Sequence, residues 1–433
     1  MDKTDIPGTF NAGATLGPVN ETNMARIWNK HKQSDTPLKR KVFVAMSGGV
    51  DSSVAAAMLL KEGYEVTGAF MVNYDGERGR GKEEGGNCWL PDYRDALRVA
   101  AKLGITLIKL DFTKEYNDLV LKYMFREYEA GRTPNPDVLC NKFVKFGVWL
   151  EKARELGYEK LATGHYARLG VKEIRNLKLE TGGDKNSFQF PVSSFRLLQA
   201  TDSNKDQTYF LHQLTQDQLK HVLFPLGEYT KPEVRVLARK WELPTAEKEE
   251  SMGICFVGEV PMREFLMQKI KPKPGEIVMS DGTVIGEHQG LPFYTIGQRG
   301  LAGRVKSDGG RGDSKPLYVV DKDLEENKLV VGCEDDPLLY KKEITVEDVN
   351  WIAGKSPEFP LYCKVRLRHR QPLQSGEIRN CPAASGIPLL REKLETGEEC
   401  VKIKFEQPQR AATPGQFAVF YLKDECLGGG VIQ

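Results

Sequence analysis

The sequence predicts an α/β protein: a doubly wound parallel sheet, then a small central domain, then a C-terminal domain of short strands. Three observations predict it. From Lys41 to about residue 225, short apolar runs alternate with amphipathic helical stretches, the pattern of strands joined by crossover helices. The first run, Val42-Phe43-Val44-Ala45-Met46, is unbroken by polar residues, as in a strand buried on both faces of a parallel sheet. From Ile344 onward the texture changes to short alternating segments between Gly/Pro turns, which suits a small closed or sandwich β-domain.

Taken in order, residues 1–38 are polar, lack helical or strand period, and read as a mobile leader. Ser47-Gly48-Gly49 interrupts the first strand, and Ser53 to Lys61 reads as a helix ending at Gly63. A strand at Glu65–Asn73 completes a β-loop-α-β unit. Helix follows at Asp92–Leu103, strand at Ile105–Leu110, helix at Tyr116–Ala130, helix from Pro136 to Leu156, and strand at Lys160–Thr163. Residues 75–86, 170–194 and 302–315, rich in Gly and charge, read as surface insertions, and Arg311-Gly312-Asp313 in the last reads as a chance loop sequence. Lys231–Trp241 is one more amphipathic helix, with mixed segments to about residue 338. The β-domain contains segments Tyr362–Arg368, Val401–Phe405 and Gln416–Tyr421. The expected domains are 39–225, 226–338 and 339–433.

Composition narrows the class. A chain of 433 residues holds two or three domains, at about 100–200 residues each. Lys plus Arg exceeds Asp plus Glu by 2, so a polyanionic partner must be met by local clustering rather than by total charge. The longest aliphatic run, Val54 to Leu60, is far short of the roughly 20 residues of a membrane span. Eight unevenly spaced cysteines without a C-x-x-C pair support neither a disulfide framework nor a zinc knuckle, and no metal site is expected. The N-terminus lacks an apolar signal core, and residues 1–38 include Asp2, Asp5, Glu21 and Asp35, unlike acid-poor transit peptides. A cytoplasmic, monomeric protein is expected.

The loop Ser47-Gly48-Gly49-Val50-Asp51-Ser52-Ser53 carries the first chemistry. Consecutive glycines let the backbone approach a ligand, and the N–H groups entering the helix form an anion nest beside the Ser hydroxyls. No Lys stands in the Walker position, so γ-phosphoryl transfer is not indicated. A serine-lined nest suits pyrophosphate as a leaving group, hence attack at the α-phosphate and adenylation of an oxygen. The string resembles the SGGxDS motif of the PP-loop ATP pyrophosphatases, a superfamily with an adenine nucleotide alpha hydrolase-like fold. That resemblance fixes nucleotide chemistry and leaves the acceptor open.

A second chemical element is Asn135-Pro136-Asp137-Val138-Leu139-Cys140. Asn135 is placed to cap a helix, with Pro136 at its first position and Asp137 in its first turn. Asp137 and Cys140 then share a face, with Lys142 and Lys145 nearby, so a carboxylate stands beside a thiol as general base or proton shuttle. Cys255, in Gly253-Ile254-Cys255-Phe256-Val257-Gly258, reads by itself as a core-strand cysteine.

Several phrases occur in one order in one family. They are Arg132–Lys142, Ala162–Arg168, Lys205–Leu211, Gly253–Gly258, Tyr294–Arg299, Pro408–Gln416 and Leu427–Gly430. The chain from about Lys41 onward resembles the tRNA-specific 2-thiouridylases of the MnmA type, outside the leader and the insertions. The resemblance implies a C-terminal β-barrel and a central tRNA-binding domain that contributes Cys255. It implies ATP binding by Ala45, Met46, Ser47, Gly48, Gly49, Val50, Asp51 and Ser52, with Met71 and Gly164, together with Mg2+. It implies adenylation of O2 of the wobble uridine (position 34) in tRNAs for Lys, Glu and Gln. Cys255 is expected to receive persulfide sulfur from a carrier or cysteine desulfurase relay, Cys140 to act as the second catalytic cysteine, and Asp137 as acid/base. The cycle would end in a Cys140–Cys255 disulfide. RNA contacts are implied at Asn135, Pro136, Asp137, His165, Lys205, Asp206, Gln207, Arg368, His369 and Gln416. His369 stands where the family usually has Tyr, Ala45 where Gly is frequent, and Met252 where Thr or Gln is commoner.

Lys364, Arg366, Arg368 and Arg370 fall at alternate positions, as do Lys402 and Lys404. The first four are expected on one strand face, either as a phosphate-binding stripe or as a solvated surface. The lone histidines His212, His221 and His288 read as structural or solvent-facing. Two other enzyme readings compete: another PP-loop adenylating ligase, which needs no cysteine pair, and iron–sulfur-dependent thiolation with a cluster on Asp137, Cys140 and Cys255. An RNA-binding module without catalysis is the remaining alternative.

Overall fold

The computed structural model describes residues 40–74, 89–174, 192–250, 262–299, 316–381 and 399–433. The leader, the segment around Cys255 and Met252, the Arg311-Gly312-Asp313 loop and most of the three insertions lie outside the described residues.

Five parallel strands, β1 (Lys41–Ala45), β2 (Glu65–Val72), β3 (Thr106–Asp111), β4 (Lys160–Ala162) and β7 (Val222–Leu223), lie in the order β3-β2-β1-β4-β7. Alternating side chains of β1 feed two cores. Phe43 packs with Met71, Tyr116 and Cys140, whereas Val42 and Val44 pack with Leu59, Phe70 and Val99. Burial on both faces is why the sequence here is continuously apolar. The chain reverses its winding at β1, between β2 on one side and β4 on the other. In open parallel sheets that switch point opens a crevice at the carboxyl ends of the strands, and the Ser47–Ser52 loop leaves β1 there.

Helix α1 (Val50–Lys61) starts three residues earlier than its sequence pattern suggests, so Asp51 and Ser52 occupy its first turn. Helix α2 (Leu90–Leu103) ends on Gly104 in the left-handed conformation. The expected helix from Pro136 to Leu156 is interrupted. Helix α3 (Pro136–Leu139) passes into a π-helical run over Cys140–Val148, non-helical at Gly147, and α-helix resumes at Trp149–Glu155. Helix α4 (Lys231–Lys240) begins in a Thr230/Glu233 capping box.

The second sheet has the order β10-β11-β8-β9, from β8 (Gly275–Met279), β9 (Val284–His288), β10 (Tyr318–Asp323) and β11 (Lys328–Gly332). The third contains β12 (Tyr340–Trp351), β13 (Leu361–Arg366), β14 (Gln374–Asn380), β15 (Val401–Arg410), β16 (Phe417–Leu422) and β17 (Glu425–Ile432). Pairing of β12 with both β15 and β17 closes these six strands into a barrel. The Gly428-Gly429-Gly430 run permits that closure. A Cβ at Gly428 would fall 1.9 Å from the Asn350 carbonyl oxygen of β12, and one at Gly429 2.4 Å from that of Ala418 on β16.

Two expectations are corrected. Residues 170–194 are not wholly an inserted loop, because β5 (Arg168–Ile174) and β6 (Val192–Leu198) pair antiparallel and extend the barrel sheet through β17. The four basic residues at alternate positions do not share a strand face, because β13 ends at Arg366 and Arg370 has φ 65°. Separately, a disulfide joins Cys381 to Cys400, with Cα atoms 5.4 Å apart across the ends of β14 and β15. Cys333, Cys363 and Cys426 are free thiols. Among the described residues, no helix is long and apolar enough to cross a membrane.

Candidate nucleotide and thiol site

The loop after β1 is tightly determined. Gly48 adopts φ +75°, and a Cβ there would sit 2.2 Å from the Asp92 carbonyl oxygen, so Gly is required on two counts. Gly164 passes on the other side, where a Cβ would lie 2.8 Å from the Ser52 nitrogen. The hydroxyls close the loop on itself. Ser47 N–H donates to Ser52 Oγ at 3.1 Å, and the Ser52 and Ser53 hydroxyls donate to the Gly49 carbonyl at 3.2 and 2.7 Å. Ala45 ends β1, Met46 N–H donates to the Ala69 carbonyl, and the Met71 side chain is buried. Val50 is buried, whereas Ser47 is exposed and Gly49 and Asp51 are partly so.

The local sequence gives this loop no lysine, but the fold delivers two. Lys248 Nζ donates to the Gly48 carbonyl at 3.0 Å and pairs with Asp92 at 2.7 Å and Asp95 at 2.6 Å. Lys231 Nζ lies 2.7 Å from Asp51 Oδ1 and 3.0 Å from Glu250 Oε1. Tyr166 OH donates to the same Asp51 oxygen at 2.9 Å, while burial and then Asp51 raise its own pKa and keep it a donor. Sequence reading missed both lysines because they lie nearly 200 positions beyond the loop. Their only local signal is Lys231 at the first position of α4, where the helix dipole disfavours a cation.

Cys140 sits at the carboxyl edge of the next strand. Asn135 caps α3 as expected, accepting from Val138 N–H at 3.4 Å, and Pro136 follows it. Asp137 is partly exposed and Cys140 is buried at the start of the π-helical run, a distortion frequent at functional sites. Asn73, immediately after β2, places Nδ2 3.9 Å from Cys140 Sγ, and its buried Oδ1 has no hydrogen-bond partner among the described residues. Asn73 is a second residue that sequence reading missed, although the switch-point rule points to strand-terminal polar residues of this kind. Buried Lys142 donates to Gln213 Oε1 at 3.2 Å, and Gln213 in turn donates to the Gly429 carbonyl at 2.9 Å, which ties the cysteine helix to the barrel.

The residues expected to meet RNA divide into two groups. Lys205, Gln207, His165 and Gln416 are partly exposed. Lys205 is paired with Glu250, and Gln207 Oε1 accepts from Tyr166 N–H at 2.9 Å. Burial, then Lys145, holds His165 well below the usual imidazole pKa, and its Nδ1 meets Thr163 Oγ1 at 2.8 Å. Gln416 donates to the Thr133 carbonyl at 2.9 Å and to that of Pro134 at 3.3 Å, fixing the approach to Asn135. Asp206, in contrast, is buried and accepts from Gln199, Thr208 and, at 2.9 Å, Arg366. Arg368 Nη2 donates to the Ile296 and Ala411 carbonyls and to Thr413 Oγ1. His369 packs its ring 4.6 Å from that of Phe210, and burial first, then Arg370 and Arg366, lowers its pKa to about 4. It is thus a neutral ring at pH 7, as the Tyr usual at this position would be. His212, His221 and His288 all bond to backbone carbonyls.

Comparison with known proteins places this architecture. Residues 40–259 match the family described as the tRNA methyl transferase HUP domain, and residues 263–333 match the tRNA methyl transferase PRC-barrel domain. Residues 341–387 and 388–432 match the aminomethyltransferase beta-barrel domain. A tRNA-specific 2-thiouridylase of Bacillus pumilus (strain SAFR-032) is 44% identical over 402 residues, which is 92% of this chain and 95% of that protein. Those of Acinetobacter baumannii (strain SDF) and Acinetobacter baylyi are each 42% identical over 91% of this chain and 97% of their own. Near-complete coverage at this identity means that the chain belongs to the tRNA-specific 2-thiouridylase family.

Proposed function

We propose that this protein is a tRNA-uridine 2-sulfurtransferase that uses ATP to thiolate C2 of the wobble uridine in tRNAs for Lys, Glu and Gln. One observation carries the reading. The phosphate loop leaves β1, and buried Cys140 lies beside Asn73 just past the end of the neighbouring β2, so an anion nest and a thiol share one edge of one parallel sheet. Methyl transfer, which the matching family's description mentions, has no use for such a loop.

The chemistry follows from poor leaving-group ability. The uridine O2 attacks the α-phosphate of ATP, pyrophosphate departs into the loop, and O2 becomes an AMP ester. The terminal sulfur of a persulfide on Cys255 then attacks C2 and AMP leaves with O2. The Cys140 thiolate attacks Cys255 Sγ, breaking the persulfide S–S bond, leaving sulfur on the base and a Cys140–Cys255 disulfide. A cellular thiol reduces that disulfide before the next cycle. Alternatively, Cys140 attacks first and releases hydrosulfide as the nucleophile. Asp137 handles the proton, Met71 and Gly164 contact the nucleoside of ATP, and a sulfur carrier or desulfurase relay recharges Cys255. The docking surface for RNA combines Asn135–Asp137, His165, Lys205–Gln207, Arg368, His369 and Gln416.

Mg2+ binds through one or two carboxylates plus substrate phosphates rather than an all-protein cage. Asp51, on the loop, is the carboxylate that fits it, and the ion would offset negative charge on the phosphates. The test is nucleoside mass spectrometry of tRNA incubated with the protein, ATP, Mg2+ and a persulfide donor. We expect 2-thiouridine at position 34, lost in Cys140→Ser and Cys255→Ser. Full product from both variants, or none from the wild type with competent tRNA, would overturn the proposal.

A further inference from the structure

We propose that Lys231 is a phosphate-binding residue: without nucleotide its ammonium rests on Asp51 and Glu250, and on ATP entry it moves to the pyrophosphate portion. This rests on the reading that the loop takes ATP, and it names a cation that the loop's own sequence lacks.

Position is the first argument. Lys231 opens α4, where a positive charge meets the positive end of the helix dipole, so helix stability does not account for it. The backbone there is pinned by the Thr230/Glu233 capping box and by Lys231 N–H donating to Asp202 Oδ2 at 2.9 Å. The side chain is 11% exposed and ends on Asp51, in the first turn of the helix that the phosphate loop enters.

The second argument is a comparison of the two lysines. An ammonium has three N–H donors. Lys248 meets three acceptors, the Gly48 carbonyl and the carboxylates of Asp92 and Asp95, and so braces the loop from behind. Lys231 meets two among the described residues, and both are carboxylates with another partner.

The third argument is that release strands no charge. When Lys231 leaves, Asp51 keeps the hydroxyl of Tyr166, and Glu250 keeps Lys205. A half-buried ion pair broken without such substitutes would resist exchange. Asp51, relieved of the ammonium, is then available to the divalent ion that accompanies ATP. Glu250 therefore also links the phosphate loop to Lys205, which belongs to the proposed RNA-docking surface.

Calorimetric titration of pyrophosphate, ATP and AMP, each with Mg2+, tests the assignment. A lost charge-assisted hydrogen bond predicts that Lys231→Met weakens pyrophosphate and ATP about 10- to 100-fold and AMP less than about 2-fold. Lys231→Arg should retain most of the affinity for all three. Equal losses for the three ligands, or none, would overturn the proposal, since a merely structural lysine has no reason to distinguish AMP from pyrophosphate. Glu250→Gln removes one competitor for the ammonium and should tighten pyrophosphate by roughly 3-fold. Unchanged or weaker binding in that variant counts against the exchange, and it decides the matter if Lys231→Met does not fold. A wild-type protein that binds neither ATP nor pyrophosphate would instead defeat the nucleotide reading itself.

Discussion

Two sets of cations play different parts in this molecule. Around the phosphate loop, Lys231 and Lys248 bond to partly exposed carboxylates at the mouth of a crevice. Beside the barrel, Arg366 reaches fully buried Asp206 at 2.9 Å and stacks over Tyr421, while Arg368 binds two carbonyls and a hydroxyl from two separate segments. The difference teaches how to separate a ligand-binding cation from an architectural one. The first has partners that can be replaced by water or an incoming anion. The second has partners that would be left unpaired inside the protein.

Breaking the barrel cluster should give the largest stability effect. Arg366→Met strands the Asp206 carboxylate and should cost about 3–5 kcal/mol of folding stability, read by urea unfolding, with pyrophosphate affinity of the folded fraction unchanged. Affinity falling in step with stability would erase the distinction. Breaking the loop should do the reverse. Gly48→Ala forces a Cβ into the Asp92 carbonyl at a left-handed position, which costs roughly 1–2 kcal/mol from the backbone alone. Loop displacement should remove detectable ATP binding while the thermal transition moves by only a few degrees. Wild-type ATP affinity in that variant would mean that the nest lies elsewhere.

The smallest effect sharpens the comparison at His369. Its folded pKa, about 4, lies below that of an unfolded imidazole near 6.5. Between these values the unfolded chain binds more protons, so this contribution is complete above about pH 6.5 and is lost as pH falls toward 4. His369→Tyr should flatten the acid limb of the stability profile slightly, as read by urea unfolding between neutral pH and about pH 4. An unaltered acid limb would place the titration elsewhere, with buried His212, at about 3, the natural next suspect.

Legibility followed the range of the interactions involved. The β1 strand, the loop and the Asn135-Pro136 helix start are local: apolar continuity, Gly conformation and a side-chain cap lie within a few residues, and all were readable. The interruption at Cys140–Val148 was not, because an apolar helical period is compatible with either α- or π-type bonding. The arginines at 366 and 368 were misread because alternate spacing assigns a face only while the strand lasts. Asp206, which draws Arg366 inward, is 160 residues away.

By itself the sequence determined the sheet class, the phosphate loop, the capped cysteine helix and, through ordered phrases, the family. Each is encoded in contiguous residues whose backbone preferences act without help from the rest of the chain. Only the tertiary structure decided which charges meet. Lys231 reaches Asp51, Asn73 reaches Cys140, and Cys381 reaches Cys400 because sheet order and barrel closure bring separated segments together. Electrostatic and thiol contacts depend on distances of a few ångströms, and chain separation does not carry that information.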